Sequence, residues 1–343
     1  MPLKTLPRPG GRATKVVITE YDLPRPESQP HDVTVDSQGI VWYTDFGLPY
    51  IGNLDPKTGA ISEYPVPEVK PGFIRGATGI QIDKEGNPWV SMLFQGAVAK
   101  FDRRTQKFTV WPIPAEYNTV RSRAGMVAPS RSATDTRVWF SDNTNLRMHR
   151  LDPASGQIDT FRAFPEAKNG GEEYGLAPGR KYSIYGIAAD SHNNGYFTNI
   201  QGGQIGRVDA VTGKVTLYPT TTANAGPRRG YIDSQDRFWF AEYRVDKLGM
   251  FDTKTEEFNE WPIPTPFSAP YDVAADKNGE VWGGGMWTDR VFRFDPRTSQ
   301  FVEYLLPSST NIRRVDIDNS TTPVTFWAGS NHGARIVKVQ PLN

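Results

Sequence analysis

Four histidines and no cysteine bound the chemistry open to this 343-residue chain. Without cysteine there is no thiolate nucleophile, no thiolate metal site and no disulfide. Histidine is then the natural base near neutral pH. His31 lies in Gln29-Pro30-His31-Asp32-Val33-Thr34-Val35, a short strand-like stretch, and is the first candidate. His332, in Gly329-Ser330-Asn331-His332-Gly333, is expected on the same face and close to His31. His149 and His192 fall in a strand and a turn, and both are expected to face solvent.

The pattern around His31 returns along the chain and brings further polar groups with it. At the His31 position the copies carry Thr78, Gly125 or Met126, Tyr185, Arg228, Tyr271 and Arg313, a set rich in donors. Toward the end of the next stretch they carry Asp45, Met92, Asp142, Asn199, Glu242, Gly285 and Gly329, a set rich in acceptors. Asp45, Asp142, Asn199 and Glu242 are oxygen ligands of the kind Mg²⁺ or Ca²⁺ takes. Arg228, Arg313, Tyr185 and Tyr271 are suited to hold a carboxylate or a developing oxyanion. Such a set could open an ester or lactone, by elimination or hydrolysis, with His31 as base and Glu242, Arg228 and Tyr271 assisting. A Ca²⁺-type ion polarising the carbonyl would make it a lactonase. The alternative is a non-catalytic face that binds a small ligand, peptide or protein partner, with Phe94 and Trp287 as aromatic anchors. Arg228 and Glu242 share one copy, and their plainest reading is a structural ion pair.

What must position these groups is a repeat. An aromatic recurs as Trp42, Trp89, Trp139, Tyr196, Trp239, Trp282 and Trp327. A hairpin pattern recurs with it, from Asn53-Leu54-Asp55-Pro56-Lys57-Thr58-Gly59 to Arg293-Phe294-Asp295-Pro296-Arg297-Thr298. Residues 29–66 read as four short strands of alternating polarity joined by turns. A repeat of about 40–50 residues with four strands each predicts a β-propeller, because one such sheet cannot bury both faces alone. The expectation is an all-β, seven-bladed propeller with four antiparallel strands per blade. The last copy lacks its fourth strand, which residues 15–24 would supply from the N-terminus. One domain, 15–343, follows a lead over 1–14. Two longer connections, 65–77 and 163–184, are expected to enter the candidate face as lids or recognition loops.

Thirty-nine Lys and Arg against thirty-eight Asp and Glu leave no global field to attract nucleic acid or membrane. No apolar run is long enough to span a bilayer. A small-molecule substrate or ligand and a monomeric protein are expected. The lead lacks the apolar core of a signal peptide. The absence of cysteine leans toward a periplasmic or secreted protein over a cytoplasmic one.

The stretches Gln29–Asp36, Gly39–Asp45, Tyr50–Asp55, Trp239–Glu242, Lys247–Asp252 and Phe258–Pro266 resemble the streptogramin B lyase (virginiamycin B lyase) family. The resemblance runs through all seven repeats. It implies a seven-bladed propeller that opens the ester-linked ring of a cyclic depsipeptide by elimination. It further implies Mg²⁺, a histidine base, and histidines and glutamates at the channel mouth. The family's Glu-Pro-His is matched by Gln29-Pro30-His31, with a glutamine where the family has a metal-binding glutamate. The motif also sits in the first blade, whereas the family uses the last blades, whose matching positions here are Tyr271 and Arg313. Glu242 matches the carboxylate of the family's Trp-Phe-x-Glu, and Asp45 matches it one residue type short.

Overall fold

A single carboxylate organises the first turn of most repeats. Asp36 Oδ1 accepts from the backbone N–H of Gln38 and Ile40, while Oδ2 accepts from Trp42 Nε1 at 3.1 Å. The same tie joins Asp83 to Trp89, Asp233 to Trp239 and Asp276 to Trp282. Asp190 does it for the Tyr196 hydroxyl. Aspartate closes such turns because its short side chain reaches the N–H groups two and four residues on. One residue thereby both ends a strand and aims the aromatic of the next.

The computed structural model describes residues 8–167 and 179–342. Its strands, numbered β1–β28 in chain order, form seven four-stranded antiparallel sheets arranged as blades. The innermost strands are β2 (Pro30–Val35), β6 (Ile80–Ile82), β10 (Ala124–Ala128), β14 (Ile184–Ala189), β18 (Pro227–Ile232), β22 (Pro270–Ala275) and β26 (Ile312–Asp318). Each second strand runs back beside its inner partner: β3 (Val41–Asp45), β7 (Pro88–Met92), β11 (Val138–Asp142), β15 (Gly195–Asn199), β19 (Arg237–Glu242), β23 (Val281–Gly285) and β27 (Thr325–Ser330).

The core lies between blades. Trp42 packs on Ile80, Val90 and Phe101 of blade two, and Trp139 on Ile184, Ile187 and Phe197 of blade four. Trp239 meets Val273 and Phe292 of blade six, and Trp282 meets Ile312, Val315 and Phe326 of blade seven. Trp327 completes the circuit against Val33, Val41 and Tyr43 of blade one. Each buried aromatic of this size contributes about 1.5–3 kcal/mol, so the ring is held by a circle of equivalent anchors.

The N-terminal strand closes the ring as expected. β1 (Val16–Asp22) pairs antiparallel with β28 (Arg335–Pro341), in register from Val16 opposite Pro341 to Asp22 opposite Arg335. This makes β1 the outer strand of blade seven and covers an edge that would otherwise lie open.

Six inner strands share one irregularity at the same end. Their ladders slip between Pro30 and Val33, Ala124 and Val127, Ile184 and Ile187, Pro227 and Gly230, Pro270 and Val273, and Ile312 and Val315. In a regular strand, neighbouring side chains point to opposite faces. A bulge breaks that alternation and re-aims side chains. It is why adjacent pairs such as His31-Asp32 and Arg228-Arg229 act together at the channel.

Candidate active site

His31 and Asp32 are both buried, and His31 Nδ1 lies 2.7 Å from Asp32 Oδ1. Arg229, from blade five, donates to the same carboxylate oxygen at 2.6 Å. Burial alone would raise the Asp32 carboxyl, but the Arg229 charge and the His31 contact take it below the usual range, so Asp32 is an anion. An anionic partner at Nδ1 fixes the hydrogen there and leaves the Nε2 lone pair as the basic position. Burial, opposed only in part by Asp32, holds the His31 imidazole below its ordinary value of 6.5. The ring stacks on Phe46 at 5.4 Å and meets the edge of Tyr271 at 6.3 Å.

Beside this base stands a tyrosine pair. Tyr185 and Tyr271, from blades four and six, bring their hydroxyls to 2.6 Å. Arg228 donates to the Tyr185 oxygen at 2.9 Å and lies 3.9 Å from the centre of the Tyr271 ring. Burial works to raise the Tyr185 hydroxyl, yet the Arg228 and Arg229 charges bring it below the ordinary tyrosine range. Tyr271 goes the other way, raised by burial and then by its partner Tyr185. The pair therefore has one acidified hydroxyl and one that keeps its proton.

The arginines of the mouth have unspent capacity. Arg228 and Arg313 both point a terminal nitrogen at the Met286 sulfur, at 3.0 and 3.8 Å. Thioether sulfur is a weak acceptor. The Nε of each is buried without a hydrogen-bond partner. Two guanidinium groups converging on so poor an acceptor are disposed to take a carboxylate instead. Tyr243 flanks Arg228 at 4.3 Å and meets Trp287, which is 63% exposed and forms the outer rim.

A second ring of charge lies one residue deeper: Asp32, Arg229, Asp272 and Arg314, alternating in sign over blades one, five, six and seven. Asp272 is fully enclosed and one of its oxygens lacks a partner. Burial pushes its carboxyl up to about 6, against the pull of Arg314 and Arg229. Gly186 makes room for this ring, since a Cβ there would lie 2.6 Å from the Arg228 carbonyl oxygen and 2.9 Å from Arg229 Cα. Strict strand alternation would turn these residues away from the mouth, and only the bulges bring them to it. The signal was present as the doublets His31-Asp32, Arg228-Arg229, Tyr271-Asp272 and Arg313-Arg314.

The donor positions thus converge, and the acceptor positions do not. Asp45 accepts from the backbone of Gly47 and Leu48, Asp142 from Thr144 and Asn145, and Asn199 from Ser183 and Gly202. A strand-terminal Asp or Asn turns onto the N–H groups of its own turn, so these three cap turns. Ser330, not Gly329, occupies the equivalent place on blade seven, opposite Ile312. Glu242 forms no ion pair with Arg228, which faces Tyr185 instead. Both Glu242 oxygens are buried without hydrogen-bond partners, and burial with the nearby Glu260 charge pushes its carboxyl up to about 8. Among the described residues no three His, Asp or Glu groups gather to hold an ion. Of the oxygen set expected for Mg²⁺ or Ca²⁺, three members are spent on turns and Glu242 stands apart from them on another blade, so the set does not fit a shared cation.

His332 is exposed in the β27–β28 turn and makes no hydrogen bond or ring contact with His31. His149, expected at the surface, is fully buried. It bonds Thr160 at 2.9 Å and stacks on Phe140, because it occupies an inward position of a third strand. Of the two long connections, 65–77 is pinned by one side chain. Gln95 Oε1 accepts from Val69 and Lys70, and its Nε2 donates to the carbonyls of Lys70, Phe73 and Ile74. Much of the other, 168–178, lies outside the described residues.

Residues 172–341 match the Virginiamycin B lyase family. Among solved structures, a streptogramin B lyase is 24% identical, with a TM-score of 0.80 over 97% of this chain and 100% of that one. A virginiamycin B lyase from Staphylococcus aureus is 21% identical, with a TM-score of 0.77 over 95% of this chain and 99% of that one. A catalytically inactive form of the Staphylococcus aureus enzyme with quinupristin is 20% identical, with a TM-score of 0.79 over the same shares. Identities this low speak for the fold alone. No curated protein matches the sequence.

Proposed function

We propose, for a chain that is a streptogramin B lyase-like seven-bladed propeller, that the channel mouth opens an ester or lactone bond by elimination. The observation that carries the reading is the His31–Asp32–Arg229 chain set beside two arginines that have no carboxylate partner among the described residues. His31 Nε2 would take a proton from the carbon next to a carbonyl. The electron pair left behind forms a carbon–carbon double bond as the neighbouring carbon–oxygen bond breaks. The departing carboxylate would be received by Arg228 and Arg313. The Tyr185–Tyr271 hydroxyls would stabilise charge building on the carbonyl oxygen. Asp32 and Arg229 act on His31, fixing its tautomer and direction. No step needs a metal ion.

The test is to incubate the protein with cyclic depsipeptides and simple lactones and follow ring opening by mass spectrometry. Elimination leaves the mass unchanged and creates an unsaturated product, whereas hydrolysis adds one water. His31→Ala should abolish turnover, and Arg228→Gln with Arg313→Gln should weaken it. Ring opening unaffected by His31→Ala, or binding without turnover across the panel, would overturn the reading. The latter result would favour a ligand-binding propeller built on the same Arg, Tyr and Trp287 surface.

A further inference from the structure

The opposite end of the channel carries a concavity that shares only Arg314 with the candidate active site described above. It is a cavity of about 420 Å³ whose walls include Thr34, Gln81, Lys84, Arg131, Tyr231 and Arg314. We infer that this lower mouth binds a small organic anion bearing a carboxylate.

The argument rests on how donors and acceptors are spent there. The two carboxylates on its wall are saturated by the protein. Asp316 accepts from the Thr34 hydroxyl and the Val35 N–H through one oxygen, and from Ile317 N–H through the other. Asp83 holds the Asn87 N–H, Trp89 Nε1 and the Lys100 ammonium. The cations are not saturated in the same way. Lys84 donates to the Ser132 carbonyl, and Arg131 donates to the Ile232 carbonyl and to the Tyr231 hydroxyl, the last at 2.8 Å. Among the described residues neither has an ion-pair partner. Arg314 lies near Asp272, Asp316 and Asp32, yet its Nε is buried without a hydrogen-bond partner.

Position strengthens the case. Arg131 belongs to the connection between β10 and β11, and it reaches past blade four to blade five, a separation of 101 residues in sequence. Blade four presents only Ala188 and Ala189 to this cavity, which leaves the space open. The guanidinium lies 4.6 Å from the centre of the Tyr231 ring, which fixes its plane. Because the Tyr231 oxygen accepts from Arg131, its own hydrogen is directed elsewhere and can serve a ligand. The result is a volume ringed by a fixed guanidinium, an ammonium and a phenol, with both of its carboxylates already taken. An incoming carboxylate would complete the donors at little reorganisation cost.

The probe is citrate, titrated calorimetrically into the whole protein at low ionic strength, with sodium chloride at matched ionic strength as the control. Citrate should bind in the wild type, and its affinity should fall at least tenfold in Arg131→Gln combined with Lys84→Gln. Both residues are solvent-exposed, so the variant should fold, and an unchanged melting temperature would verify this. Arg131→Lys should retain part of the affinity, and His31→Ala at the other mouth should retain all of it. No citrate binding by the wild type, or equal binding by the double variant, overturns the inference. Either result leaves the ester-opening reading untouched, since that reading depends on the upper mouth alone.

Discussion

In the proposed reaction His31 would owe its role as base to two neighbours. Asp32 sets its tautomer, and Arg229 holds Asp32 from across the channel. Asp32→Asn should lower turnover about 10²–10⁴-fold, the usual worth of a correctly presented base, and should also lower the melting temperature, because Arg229 loses its buried counter-charge. Arg229→Gln should cost less in turnover and should shift the pH profile. With the imidazole held below 6.5 by burial, the acid limb of the wild-type profile should lie below that value, because His31 must be neutral to act. A limb at or above 6.5 would show that the ring is not as enclosed as the geometry has it. Chelation by EDTA should leave ring opening unchanged, since Asp45, Asp142 and Asn199 spend their oxygens on their own turns.

At the scale of an element, two carboxylates make opposite contributions. Asp233 closes the turn before β19, holds Trp239 and accepts from Gln235 and Arg237. Asp233→Ala strips several buried donors of their partner at once, and should destabilise by about 2–4 kcal/mol in chemical unfolding. Glu242 at the far end of the same strand is a liability. Its folded carboxyl keeps its proton up to about 8, whereas the unfolded one loses it near 4.5. Between those values the folded state binds more protons than the unfolded state, so stability falls as pH rises through the window. Glu242→Gln should flatten that slope and raise stability at pH 8 by a few kcal/mol, an order-of-magnitude figure from the linkage relation. Denaturation followed from pH 4 to 9 checks the sign, and a steeper slope in the variant would refute it.

For the whole molecule, closure is the decisive event. Removing residues 8–24 takes β1 away and leaves β28 as an open edge, with Val337 and Val339 of the blade-seven core no longer covered. The truncated chain should melt at markedly lower temperature and should self-associate, which light scattering would detect. Closure also creates the site, because it fixes blades one and five on opposite sides of one channel. Arg229 and Asp32 are 197 residues apart in sequence and meet only once the ring is complete. The truncation should therefore lower turnover as well as stability.

The fold was legible because each blade is local. An aspartate, a turn and an aromatic recur within a few residues, and their periodicity in sequence is the periodicity of the sheet. The number of blades and the strand that closes the last one follow from counting copies. The donors of the mouth, His31, Tyr185, Arg228, Tyr271 and Arg313, were legible for the same reason: equivalent positions of a repeat come to equivalent places in a ring. The acceptors misled, because residue type says that an oxygen is present and not whether a neighbouring N–H has already claimed it. Asp45, Asp142 and Asn199 cap turns, and only coordinates reveal that. The deeper ring of Asp32, Arg229, Asp272 and Arg314 depends on bulges that break strand alternation, and the lower mouth depends on Arg131 crossing a blade. Periodicity is written in the chain one repeat at a time, whereas contacts across the channel exist only when all seven blades stand in place.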